Sequence, residues 1–134
     1  MKRDMELVRK ILFAMEESNS TIFILPDVPD IDGYTKDKII YHMRIMANAN
    51  LLNYEKEEIV HETNVSGRAP YKNRFTYEKY YLDWKGHEFV ETIRDDTQWN
   101  KVKETMTKAG GFIFDIALMV GKSYIEKNVL GLLP

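Results

Sequence analysis

The 134-residue sequence predicts an α+β domain, mainly α, and three observations carry that prediction. Apolar residues recur three and four positions apart over several stretches of ten or more residues, the period of a helix with one buried side. Two β-prone runs, residues 51–54 and 74–83, flank a polar segment centred on Ser66-Gly67-Arg68-Ala69-Pro70, a turn signal. The composition, 44% hydrophobic and 30% charged, is that of a chain able to bury one core without staples. Residues 1–134 read as a single domain, with a core over about 4–95 and a helical extension over about 96–134.

The first helix is expected from Met5 to Glu17, with Asp4 as its N-cap and Met5, Val8, Ile11, Leu12 and Met15 as its core stripe. Ser18 to Ser20 ends it, and residues 21–25 form a short β-prone run. Two prolines, three aspartates and a glycine make residues 26–33 a loop. Thr35 caps a second helix that runs to about Ala49. Ile39, Met43, Met46 and Asn50 fall on one side of it, and Asp37, Tyr41, Arg44 and Asn48 on the other. Asn50 suits the left-handed position that ends a helix. A strand then starts at Leu51-Leu52-Asn53-Tyr54 and a second returns over residues 74–83, carrying Phe75, Tyr77, Tyr80 and Tyr81. Asp83 caps a third helix, residues 84–94, with Phe89, Val90 and Ile93 inward. Thr97 caps a fourth, containing Trp99 and Val102, which Gly110-Gly111 stops. Residues 112–127 form a last amphipathic helix.

Helix, short strand, loop, helix and two-stranded hairpin, in that order, is the winged helix-turn-helix arrangement. The second helix takes the recognition position, the hairpin is the wing, residues 26–33 stand for the usual middle helix, and the remaining helices are C-terminal additions. The sequence also resembles prokaryotic winged-helix proteins at two places. Their recognition helix typically ends in a Leu…Leu…Gly-Leu-Ile pattern, and Met43, Met46, Asn50, Leu51 and Leu52 occupy those places. Their second wing strand often enters Leu-Thr-x-x-Gly-x-x-x-Leu, and Leu82-Asp83-Trp84-Lys85-Gly86-His87-Glu88-Phe89-Val90 is similar, with Asp83 in place of the capping Thr. A second resemblance covers almost the whole chain. Met1-Lys2-Arg3-Asp4-Met5, the stretch 34–52 with Tyr41-His42-Met43, Trp84-Lys85-Gly86-His87-Glu88-Phe89, Arg94-Asp95-Asp96 with Trp99, Lys101-Val102-Lys103 and Gly110-Gly111 resemble the short, mostly phage and prophage proteins of domain-of-unknown-function family 2513. That resemblance implies a winged-helix-like fold and a phage or mobile-element setting. It implies no activity.

Several function classes are excluded or left without a motif. The chain has no cysteine, which removes disulfides, thiolate metal sites and a cysteine nucleophile. Its first ten residues are charged and lack the apolar stretch of a secretory signal. Its most apolar run, residues 112–120, carries Asp115 and is far shorter than the roughly 20 residues that span a bilayer. A cytoplasmic protein with no membrane contact is expected. His87-Glu88 lacks the second histidine of a metalloprotease helix, since Glu91 stands in its place, and His42, His61 and His87 have no metal-ligand spacing. His87 and Trp84 are expected to pack the last strand of the wing against the following helix. Asp27, Asp30 and Asp32 read as turn chemistry, and Asp95-Asp96 as helix-end chemistry. No glycine-rich phosphate loop is present. No enzyme activity, metal or cofactor is expected.

Two surfaces remain as candidates. Lys38, Tyr41, Arg44 and Asn48 of the second helix and Arg68, Lys72 and Arg74 of the wing form a candidate DNA-binding set, because Arg and Lys reach phosphates while Asn and Arg read base edges. Between Ser66 and Tyr81 the only acid is Glu78, so the returning strand is basic. Against this stand Asp37, the glutamates 55, 57, 58 and 62, a net charge of −2 and an isoelectric point near 5.9. The wing aromatics can stack on nucleic acid or pack internally. Near the C-terminus, Phe114, Leu118, Ile125, Val129 and Leu130 form a candidate interface, suited to a homodimer. The leading expectation is a winged-helix DNA-binding or regulatory protein acting on double-stranded DNA. The alternative is a protein-binding adaptor, or an inhibitor of a host factor, on a winged-helix scaffold that does not bind DNA. A continuous positive face over the second helix and wing favours the first, and a broken or acidic one the second.

Overall fold

The structure, a computed structural model, describes residues 1–108. The expected stop at Gly110-Gly111, the last amphipathic helix and the candidate interface residues Phe114, Leu118, Ile125, Val129 and Leu130 lie outside the described residues. Within them the chain is α+β: α1 (Met5–Glu17), β1 (Phe23–Ile24), α2 (Lys36–Asn48), β2 (Asn53–Thr63), β3 (Tyr71–Tyr81), α3 (Trp84–Ile93) and α4 (Asp96–Lys108). The three strands form one antiparallel sheet in the order β1-β3-β2.

Helix ends follow local chemistry. The side chains of Asp4, Thr35 and Asp83 accept hydrogen bonds from the backbone N–H groups of Leu7, Lys38 and Gly86, closing the first turns of α1, α2 and α3. Asn50, at φ 62°, ends α2 in the left-handed conformation. The N–H of Leu51 reaches back to the carbonyl of Met46 and that of Asn50 to Ala47, and both Leu51 and Met46 are buried, which completes a Schellman motif. The α4 cap differs from expectation. Asp95, two residues before Thr97, accepts from the N–H groups of Thr97 and Gln98, so the helix begins earlier.

The chain is also less dominated by helix than expected. β2 and β3 each run 11 residues, from Asn53↔Tyr81 to Thr63↔Tyr71, because the polar stretch read as a connection is itself the hairpin. Its outer part is solvated on both faces, so it carries no buried side of the kind that marks a half-buried strand. Leu51 and Leu52 precede β2 and join the core, while Asn53 and Tyr54 make the expected pairs with β3.

The core is built around α1. Leu7, Val8, Ile11 and Leu12 are buried with Ile39, Met43 and Met46 of α2, Phe89, Val90 and Ile93 of α3, Trp99 and Val102 of α4, and Tyr80 of β3. Three polar ties fix its edges. The His42 imidazole is fully buried, with Nε2 receiving the Asp4 N–H at 2.9 Å and Nδ1 2.8 Å from the Lys38 carbonyl. That pairing requires the proton on Nδ1. Arg9 donates to the carbonyls of Ile93 and Arg94 and to the Asp96 carboxylate, under the rings of Phe13 and Trp99, so it joins the end of α3 to the start of α4. Glu6 accepts from Trp99 Nε1 and from Lys103.

At the β3–α3 junction the packing residues are not those expected. Trp84 is 79% exposed and bonds Glu88, and His87 is exposed and faces Glu16 of α1. The Asp83 cap turns the first helical position outward, and the close contact is made by Gly86, where an added Cβ would sit 3.0 Å from Leu82.

Two stability effects follow from these ties. Replacing His42 with Ala leaves a cavity and removes the acceptor of the Asp4 N–H, and is expected to lower the unfolding free energy by about 2–4 kcal/mol. Urea denaturation measures this, and an unchanged midpoint would show the ring to be dispensable. The second effect concerns pH. The Lys103 bond holds the Glu6 carboxyl below its ordinary value, burial opposing and Trp99 assisting. For Asp4, burial pushes upward but the Leu7 N–H and Lys38 outweigh it, so its carboxyl is also lowered. Both groups therefore protonate first in the unfolded chain as pH falls. Their stabilisation is complete above the ordinary values of 3.8 and 4.5 and is lost as pH drops through the lower folded values. Thermal melting should fall as pH is lowered from 5 to about 3, and the slope should be shallower in Glu6→Gln. An equal slope in that variant would remove Glu6 from the effect.

Candidate partner-binding surface

α2 presents its buried side through Ile39, His42, Met43 and Met46, which leaves Asp37, Tyr41, Arg44 and Asn48 exposed on the other. Lys38 does not join them. Its amine lies 3.5 Å from the Asp4 carboxylate and 5.1 Å from the centre of the Tyr34 ring, on the α1 side of the helix. Arg68, Lys72 and Arg74 stand on the outer hairpin, where Gly67 takes φ 82° in the turn. The seven candidate residues therefore fall into three places: Tyr41, Arg44 and Asn48 together on α2, Lys38 beside α1, and the three hairpin residues beyond the core.

The register of the hairpin decides its electrostatics. Side chains alternate between the faces of the ribbon. One face carries Tyr54 opposite Tyr80, Lys56 opposite Glu78, Glu58 opposite Thr76, Val60 opposite Arg74 and Glu62 opposite Lys72. This face turns to α2, since Tyr80 is buried and Arg44 Nη2 meets Glu78 at 3.1 Å. Every basic position of β3 thus has a β2 glutamate as a direct or diagonal neighbour. Arg74 lies 3.7 Å from Glu58, Lys79 pairs with Glu57 on the opposite face, and Lys72 stands across from Glu62. From Asn53 to Tyr81 there are five acids and five bases, so the hairpin carries no net charge. The Glu78 carboxylate, accepting from Arg44, raises the guanidinium above its ordinary range, and Glu57, accepting from Lys79, does the same for that amine. The positive face of the returning strand is broken by its partner strand.

Between α2 and the base of the ribbon lies a cleft of about 260 Å³, lined by Arg44, Ala47, Asn48, Tyr54, Glu78 and Tyr80. Tyr54 is half exposed, with its ring 5.3 Å from that of Tyr80. Burial raises the Tyr80 hydroxyl, with Glu78 adding to it. The cleft offers an aromatic wall, an amide and a guanidinium–carboxylate pair, a set that fits one amphipathic side chain of a partner. Tyr54 and Glu78 were not singled out as site residues from the sequence, and Tyr80 only as one of the strand aromatics able to stack or to pack internally. Their meeting with Arg44 depends on the strand register, which the Asn50 helix end and the Gly67 turn together imply.

The histidines do not converge. His42 is buried between α1 and α2, His61 is on the ribbon and His87 is beside Glu16, and among the described residues no cluster of three His, Asp or Glu suits a metal. Asp27, Asp30 and Asp32 line an open polar cleft with Tyr34 and Lys36, and Asp95 and Asp96 are used in capping α4 and holding Arg9. No described helix is long and apolar enough to cross a membrane.

Comparison with known proteins places the chain among relatives whose descriptions carry no activity. A protein of Haemophilus influenzae described as uncharacterized is 30% identical over 129 residues, covering 95% of this chain and 98% of the relative. No solved structure matches. A family model described as "Hypothetical protein (DUF2513)" matches residues 2–112, and the chain belongs to that family.

Proposed function

We propose that this chain is a non-enzymatic winged-helix regulatory module of phage or mobile-element origin, which recognises a protein partner through the outward side of α2 and the adjoining ribbon. The winged-helix reading is supported by the order of elements through β3 and by the strand order β1-β3-β2, with α2 directly before the ribbon in the recognition position. Residues 26–33, with Pro29 buried, take the place of the middle helix.

The observation that carries the choice of partner is the hairpin register. Duplex affinity grows with each phosphate a cation neutralises. Here Arg44 and Arg74 are already engaged by Glu78 and Glu58, so a phosphate reaching either must displace a carboxylate and then sit near it. A protein interface makes no such demand. It is commonly of mixed charge, with aromatic and arginine anchors at its centre, and the cleft of Arg44, Asn48, Tyr54 and Tyr80 supplies that combination. Duplex DNA remains the second reading, favoured by exposed Tyr41 and Asn48 on α2 and by Arg68 and Lys72 near the tip.

A fluorescence titration with duplex DNA in about 50 mM salt, where electrostatic attraction is strong, separates the two. No binding is expected at micromolar protein. Binding that Arg68→Ala and Arg74→Ala weaken for all sequences, and whose sequence preference changes in Tyr41→Ala, would replace the protein-partner reading with the DNA one.

A further inference from the structure

The face of the ribbon turned away from α2 has a different character. Beyond its base it carries Ile59 opposite Phe75, His61 opposite Asn73 and Thr63 opposite Tyr71. No carboxylate, ammonium or guanidinium stands among these six, although 30% of the chain is charged. Phe75 is 45% exposed and Tyr71 63% exposed, and the His61 and Phe75 rings meet edge to face at 5.8 Å. The same length of the opposite face holds Glu58, Glu62, Lys72 and Arg74. The outer ribbon is therefore amphipathic, and its uncharged face projects beyond the described core.

We propose that this face binds the same face of a second copy of the chain, with the two ribbons antiparallel about a two-fold axis at the His61–Asn73 row. Charge selects the occupant. Two uncharged faces meet without like-charge contact, and the two-fold places Tyr71 over the partner copy's Phe75 row and Thr63 over its Ile59 row. Each tip then lies over the base of the other ribbon. The only charged residue between Thr63 and Tyr71 is Arg68, and the base carries Glu55 and Glu57 with Lys79, an acidic balance. Tip and base are complementary in this orientation alone. The uncharged contact spans about 14 Å of ribbon, three rows set two residues apart, and is small beside a standard interface. The dimer is consequently weak and forms at high micromolar concentration. It leaves α2 and its cleft open, so it stands independently of the partner reading above.

The chain has no cysteine, which permits a direct test on the full protein. Asn73→Cys puts one thiol beside the axis, and Thr76→Cys puts one on the opposite face. Under mild oxidation the first is expected to give a disulfide-linked dimer and the second not. Sedimentation of the unaltered chain should show its 15.8 kDa mass rising toward twice that value with concentration. Phe75→Glu should abolish the rise. Arg68→Glu should weaken association about tenfold, and Glu57→Arg added to it should restore association. A monomer at about 500 µM, a concentration at which weak complexes form, would overturn the proposal. So would equal cross-linking of the two cysteine variants, or loss of association in Arg68→Glu that the second change fails to rescue.

Discussion

The burial of the α1 stripe is the constraint on which the other positions depend. Leu7, Ile11 and Leu12 lie at the centre of a core to which α2, α3, α4 and β3 each contribute buried residues. Hydrophobic burial has no direction, so it would hold these helices close without fixing their rotation. The polar ties at the rim of the stripe supply direction. The His42 ring sets α2 against the first turn of α1 through two bonds of defined donor and acceptor. Arg9 and Glu6 do the same for the α3–α4 corner. Rotation of α2 is then determined, and with it the outward direction of Tyr41, Arg44 and Asn48.

The base of the ribbon inherits this placement. Tyr80 is buried under α2, the Schellman end at Asn50 delivers the chain into β2, and the Arg44–Glu78 pair joins helix to strand at the surface. An exposed ion pair contributes little to stability, but it closes the cleft on one side and occupies the guanidinium. A core contact thus fixes where the surface is, and a surface contact fixes what that surface can bind.

Most of the fold was legible in the sequence. The stripes of α1, α2 and α3 and the caps Asp4, Thr35 and Asp83 were readable because each rests on contacts within a few residues. The length of the hairpin was not. Its outer strands have no buried face, and the outer part of β2 reads as a charged polar stretch, so the sequence marked the turn at Gly67 and the inner strands but not their full length. Trp84 misled for a related reason: a large aromatic beside a core helix suggests packing, whereas the cap geometry turns it outward. Arg9 and His42 look like ordinary members of charged or mixed stretches, and their roles arise from carbonyls and N–H groups 84 and 38 positions away, which no local pattern contains. The candidate site was legible on α2, where helical periodicity separates the two sides, but the electrostatics of the hairpin required the register.

That register illustrates why charge counted along a strand is a poor guide to charge on a surface. Read linearly, β3 is basic and β2 acidic, and either could be assigned a partner of opposite sign. Antiparallel pairing sets them side by side about 5 Å apart, where opposite charges satisfy one another and like charges would repel. Neutralisation across the ladder makes such a long hairpin tolerable as a projecting element, because a two-stranded ribbon has no third strand to stabilise it. The acidic run along β2 also discourages indiscriminate pairing at the open sheet edge. The same cross-strand pairs that favour the ribbon's formation engage its cations, and leave shape, aromatic area and the uncharged far face as the properties that distinguish its surface.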